Sequence, residues 1–173
     1  CLISVLMDNT HQLLWNDCES QLQDIHDLLT QLSDASYAKP IPSLSMASLG
    51  EHVRHSLGFY ECLLKVADGQ VADYDARKRD PLVETQVNKA LACIVTIQDQ
   101  WHRLNVNKVV YLKHAHGLES SLSRELLNVS EHTLHHMALM SVALIELGLN
   151  HVVNDNFGIA PSTLANRQTI QKN

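Results

Sequence analysis

Aromatic residues make up only 5% of this chain, and its 173 residues include just 6 glycines and 4 prolines. Sandwiches and barrels need turn residues at every hairpin and aromatic or β-branched strands between them, so this scarcity excludes an all-β design. Basic charge is also short. Lys and Arg number 13 against 19 Asp and Glu, a net charge of −6, which excludes the broad footprint needed to grip nucleic acid. No apolar run reaches the roughly 20 residues of a membrane span. The opening segment Cys1–Met7 is too short for one, and no basic stretch precedes it as a signal peptide requires. Cys1, Cys18, Cys62 and Cys93 lack any close spacing, which excludes a disulfide scaffold or a zinc finger. They read as free thiols in a reducing compartment, and the expected location is the cytoplasm. There is no G-x-S-x-G elbow and no phosphate-binding glycine loop.

What is present is a globular composition, 45% hydrophobic and 18% charged, in a length that suits one domain over residues 1–173. Four long segments carry helical periodicity. The first, Asn9 to Ser33, repeats Leu14, Cys18, Leu22, Ile25 and Leu29 at steps of three and four and stops before Pro40 and Pro42. The second runs from Ser48 to Val66, opened by a Ser48/Glu51 capping box and stopped near Asp68-Gly69. The third begins at Asp80-Pro81 as N-cap and first turn and continues to Leu104. Between it and the fourth, Val109–Leu112 is β-branched and aromatic, which predicts a short extended segment. The fourth helix is expected from Leu118 to Leu147, closed by Gly148, with residues 150–173 as an arm packed on the helices. Four amphipathic helices predict an all-α four-helix bundle.

The chain has 11 histidines, and the imidazole is a common metal ligand. His132 and His136 are four residues apart on the fourth helix, one above the other, a spacing suited to clamping a metal. At about 100° per residue they fall on the margin of the apolar stripe, whereas His135 lies further round toward water. On the second helix His55 borders the stripe and His52 lies slightly deeper; helix phase leaves either as a third ligand. Three imidazoles with open positions for water or substrate make a catalytic style of site rather than a closed structural one. Glu51, Glu125 and Glu131 are the carboxylates expected to orient the rings. His11, His26, His102, His114, His116 and His151 read as surface or structural, and Cys62 as core. The Arg77-Lys78-Arg79 run, flanked by Asp75 and Asp80, reads as a solvated loop.

Two stretches carry a family likeness: Ser48-Leu-Gly-Glu-His-Val-Arg-His55-Ser-Leu-Gly-Phe-Tyr-Glu, and Glu131-His132-Thr-Leu-His-His136-Met-Ala-Leu-Met with Leu147-Gly148 beyond it. They resemble the second-helix histidine and the H-x-x-x-H segment of the DinB/YfiT-like metalloproteins, a family of four-helix bundles. The resemblance implies His55, His132 and His136 as the metal triad, and so prefers His55 over His52. Many members carry a glutamine three residues after the histidine pair, where this chain has Leu139.

Characterised relatives include thiol-dependent S-transferases and a maleylpyruvate isomerase that use a divalent metal at the three histidines. By that resemblance the chain is expected to be a divalent-metal-dependent enzyme, a thiol-dependent S-transferase or a hydrolase. Zinc or nickel best suits three imidazoles, with manganese or iron as alternatives. Expected partners are a small-molecule substrate, a low-molecular-weight thiol and a second copy of the chain in a homodimer, with neither nucleic acid nor membrane. The alternative is a non-catalytic metal-binding or stress-response module on the same bundle.

Overall fold

The computed structural model describes residues 2–67, 71–101, 104, 108–113 and 115–170, with the backbone alone at 2–11, 67, 168 and 170. In chain order it forms α1 (Leu2–Leu29), α2 (Asp34–Tyr37), a 3-10 turn (Pro42–Leu44), α3 (Leu49–Ala67), α4 (Pro81–Thr85) and α5 (Val87–Trp101). There follow β1 (Val109–Leu112), β2 (Leu118–Ser121), α6 (Leu122–Glu146), a second 3-10 turn (Asn150–Val152) and α7 (Pro161–Ile170). The protein is mostly helical, with one small antiparallel ribbon. Among the described residues no helix is long and apolar enough to cross a membrane.

Four long helices build the core, and each leans on two others: α6 on α1 and α3, and α5 on the same pair. Their stripes interlock through Leu22, Ile25 and Leu29 of α1, Val53, Leu57 and Leu63 of α3, Ile94 and Ile97 of α5, and Leu126, Val129, Met140 and Leu144 of α6, all buried. Fully burying each such side chain is worth about 1.5–3 kcal/mol. Trp15 and Trp101 meet edge to face at 4.9 Å. Cys18, Cys62 and Cys93 are free thiols, and Cys18 and Cys62 are buried.

The predicted helix ends are set by the residues that announced them. Ser48 N donates to Glu51 Oε2 at 3.0 Å and Glu51 N to Ser48 Oγ at 3.1 Å, a reciprocal capping box opening α3. At the other end of α6, Leu149 N donates to Leu144 O at 2.8 Å and Gly148 N to Ile145 O at 3.0 Å. Gly148 takes φ +70°, the left-handed conformation of a Schellman closure. The Asp68-Gly69 stop lies outside the described residues.

Three expectations are corrected. The third helix is two pieces: α4 starts as predicted, with Asp80 Oδ1 accepting from Leu82 N at 2.9 Å, but Gln86 is extended. Val87 N donates instead to Asp34 Oδ1 at 2.8 Å, and Arg54 holds Glu84 at 2.8 Å, so contacts distant in sequence break the helix. The fourth helix starts at Leu122, not Leu118, because residues 118–121 pair with β1 from Val109↔Ser121 to Leu112↔Leu118. Left-handed His116 and Gly117 turn the ribbon, and Ser121 caps α6 by accepting from Arg124 N at 3.2 Å. Lastly, α1 already includes Leu2–Met7 and ends at Leu29.

The ribbon positions the site. Ala72 bridges to β1, its N donating to Tyr111 O at 3.1 Å and its O accepting from Lys113 N at 2.9 Å. That clips the segment 71–80 across α3. Beyond α6, Ser141 Oγ donates to Phe157 O at 3.1 Å and Phe157 is buried, which seats the C-terminal arm.

Candidate metal centre

Helices α3 and α6 face each other along their length, and their histidines meet between them. His55 Nε2 lies 2.9 Å from His132 Nε2, and His136 Nε2 lies 3.1 Å from that same atom. The donor atoms of His55, His132 and His136 all fall within 4.8 Å of one another, so the three can hold a metal ion. The i, i+4 spacing stacks His132 and His136 on one face, and helix phase turns His55 toward them. His135 is exposed, as expected. His26 lies 3.3 Å from Asp27, His116 sits at the ribbon turn and His151 is exposed. His102, His114 and the side chain of His11 lie outside the described residues.

The nitrogens test the fit of a cation. A neutral imidazole carries one N–H and one lone pair, each pointing along a single line. His132 Nε2 can therefore make one well-aligned hydrogen bond, to His55 or to His136. The other contact then lies off that line and is poorly aligned at best. A cation between the three satisfies every lone pair at once. Two nitrogens bonded to one ion at about 2.1 Å lie about 3.0–3.4 Å apart for bond angles from a right angle to tetrahedral. Of the observed separations, 3.1 Å falls within that range and 2.9 Å just below it.

His52 does something other than replace His55. Its Nδ1 lies 2.9 Å from His136 Nδ1, on the side of the His136 ring away from the cluster. With the Nε2 lone pair of His136 turned inward, its Nδ1–H donates to His52, which fixes tautomer and ring orientation. His52 then carries its own proton on Nε2, which is buried without a partner among the described residues.

The expected carboxylates do not take this role. Glu51 closes the α3 cap and meets Arg79 at 3.5 Å. Glu125 is buried, accepting from Tyr74 Oη at 2.9 Å and from Ser120 Oγ at 2.6 Å. Glu131 is exposed.

Electrostatics keep the rings neutral. Burial first, then the Arg77 guanidinium, holds His55 down at about 4. Burial, then the charges of His55 and His132, takes His136 to about 3. His52 and His132 are lowered too, chiefly by burial. All four imidazoles thus offer lone pairs at neutral pH.

Phe59 and Arg77 complete the surroundings; sequence patterning assigns neither a role at the site and reads Arg77 as part of a solvated loop. Phe59 packs its ring 4.0 Å from that of His132 and 5.3 Å from that of His55, and stacks on Tyr74 at 4.8 Å. The Arg77 guanidinium carbon sits 4.0 Å from the Phe59 ring centre. Gly58 leaves the space, since a Cβ there would come 3.1 Å from Arg77 Cδ. The basic run is therefore split: Lys78 and Arg79 are exposed, but Arg77 is folded inward and half-buried. The one clue was the neighbouring Gly58, which leaves room on α3 beside an aromatic residue.

Known proteins match this chain in part or over most of its length. FK506-binding protein 5 of Rhizopus delemar is 33% identical over 105 residues, a match covering 54% of this chain and 27% of that protein. Most of that relative's length thus lies outside the match, and what its name says of binding is said of that whole protein. The DinB family matches residues 7–167, a span that includes both histidine-bearing helices. On that match over nearly its whole length, the chain belongs to the DinB family.

Proposed function

We propose that the protein is a divalent-metal-dependent enzyme built on a four-helix bundle, with His55, His132 and His136 holding one ion and a small molecule as its substrate. Zinc or nickel suits three neutral imidazoles best. The observation that supports this is the gathering of ligand atoms of His55, His132 and His136 within 4.8 Å of one another, with contacts on His132 Nε2 that one proton or one lone pair cannot align with at once. When bound, the ion would supply Lewis acidity, lowering the pKa of a thiol or water or polarising a carbonyl. Transfer to a low-molecular-weight thiol, or hydrolysis, is the reaction that the family resemblance implies for such an ion.

The chain's own residues have separable tasks. His52 holds His136 in the tautomer that turns its lone pair inward. Phe59 packs an apolar face against the rings of His132 and His55. The low pKa values of His55 and His136 keep both rings deprotonated across the physiological range. A non-catalytic, fully protein-ligated metal module would need a fourth ligand. Among the described residues the nearest further imidazole, His52, directs its Nδ1 at the back of His136 instead.

Elemental analysis of protein purified without a histidine tag tests the proposal. About one equivalent of zinc or nickel is expected, falling to background in H132A/H136A. Absence of metal, together with no rise in melting temperature on adding zinc, nickel or manganese, would overturn it.

A further inference from the structure

Three arginines gather on the flank of the centre, and two of them are neutralised. Arg54 and Arg79 share Glu84, at 2.8 and 3.2 Å, and Arg79 also reaches Glu51 at 3.5 Å. Arg77 has no acidic partner among the described residues, and its Nε is buried without an acceptor. A half-buried guanidinium without an ion pair is costly, because its lost hydration is returned only in part, by the face of Phe59 and the nearby charge of Asp75. The neighbouring carboxylate is not spare, since Asp73 is 2.9 Å from Lys113 Nζ. Arg77, Lys65 and Lys113 border a cavity of about 340 Å³ that also touches Asp73 and Cys62.

Arg77 also stands close to the histidines. Its guanidinium carbon and the ring of His132 each lie 4.0 Å from the centre of Phe59, so the two are at most 8.0 Å apart. Arg77 is also the charge that most lowers both His55 and His132 after burial. A group held on Arg77 and a group at the three nitrogens are thus close enough to belong to one small molecule.

We propose that Arg77 anchors a carboxylate of the substrate, so that the site takes small organic acids. This rests on the histidine centre being a small-molecule metal site. The free edge of a guanidinium presents two coplanar N–H groups, which match the two oxygens of a planar carboxylate. A phosphate dianion would ask for further donors; Lys113 is already engaged with Asp73, and the other lysine on the cavity, Lys65, is exposed.

The test follows succinate binding to the zinc-loaded protein by calorimetry and by the Arg Nε–H resonances of ¹⁵N-labelled protein. Succinate is expected to move the Arg77 resonance, and neutral succinamide to leave it in place. R77Q should weaken succinate at least tenfold with zinc content unchanged, R77K should fall between, and R79Q should bind as the parent does. Equal succinate affinity in the parent and R77Q would overturn the proposal, as would inorganic phosphate binding more tightly than succinate at the same residue. Zinc content separates the two readings. Zinc bound at one equivalent without Arg77-dependent succinate binding overturns the anchor alone. Succinate held by Arg77 in a chain that takes up no zinc overturns the metal centre and leaves Arg77 as an anion site.

Discussion

Acid should weaken the metal-free protein through its histidine cluster, by an amount that follows from the geometry. His55 and His136 hold pKa values of about 4 and about 3 in the fold, against 6.5 when unperturbed. The unfolded chain therefore binds more protons than the folded one below pH 6.5. Stability present above that pH is lost as pH falls toward 3–4, with a limiting slope of about 1.4 kcal/mol per pH unit for each ring. Acting in full, the two rings would remove about 3.7 kcal/mol between pH 7 and pH 5. Both are half-exposed and they repel each other, so screening and shared titration bring this to about 2 kcal/mol. For a chain of this size that is a fall of about 4–8 °C in Tm. The assay is urea and thermal unfolding of chelator-treated protein at pH 7, 6 and 5, beside the H55Q/H136Q variant. The variant keeps every carboxylate titration but loses these two, so the parent should lose about 2 kcal/mol more over that interval. Equal losses in the two proteins would refute the reasoning. Zinc competes with protons for the same lone pairs, so its stabilisation should shrink over the same range.

Two further outcomes follow from contacts. H52A should weaken zinc binding about 10–100-fold without changing its stoichiometry, with H52N restoring part of it, as measured by competition with a chromophoric chelator; an unchanged affinity would leave His52 a packing residue only. Gly50→Ala would put a Cβ 1.9 Å from Glu84 O, pressing α4 off α3. It should cost about 1–3 kcal/mol or more in urea unfolding, and a loss below about 0.5 kcal/mol would show that the contact yields freely.

Much of this protein is legible in its sequence because the signals are local. The 3.6-residue period marks the core-facing side of each long helix, so Leu22, Ile25, Leu126 and Val129 announce their own burial. Ser48 with Glu51, Asp80 with Pro81, and Gly148 each satisfy backbone groups within a few residues, so α3, α4 and α6 have ends that can be read directly. The same period stacks His132 over His136 and separates them from His135. The tertiary structure decided what depends on residues far apart in the chain. Asp34 draws off Val87 N and splits the third helix; β1 captures residues 118–121, which continue the helical pattern of α6. Helix phase could not choose between His52 and His55. Packing did so by turning Nε2 of His55 into the cluster and Nδ1 of His52 to the back of His136. Composition could not tell Arg77 from Lys78 and Arg79 either. A side chain's neighbours and its neutralising charge are set when the segment carrying it docks, and here the clip between Ala72 and β1 lays Arg77 over Phe59.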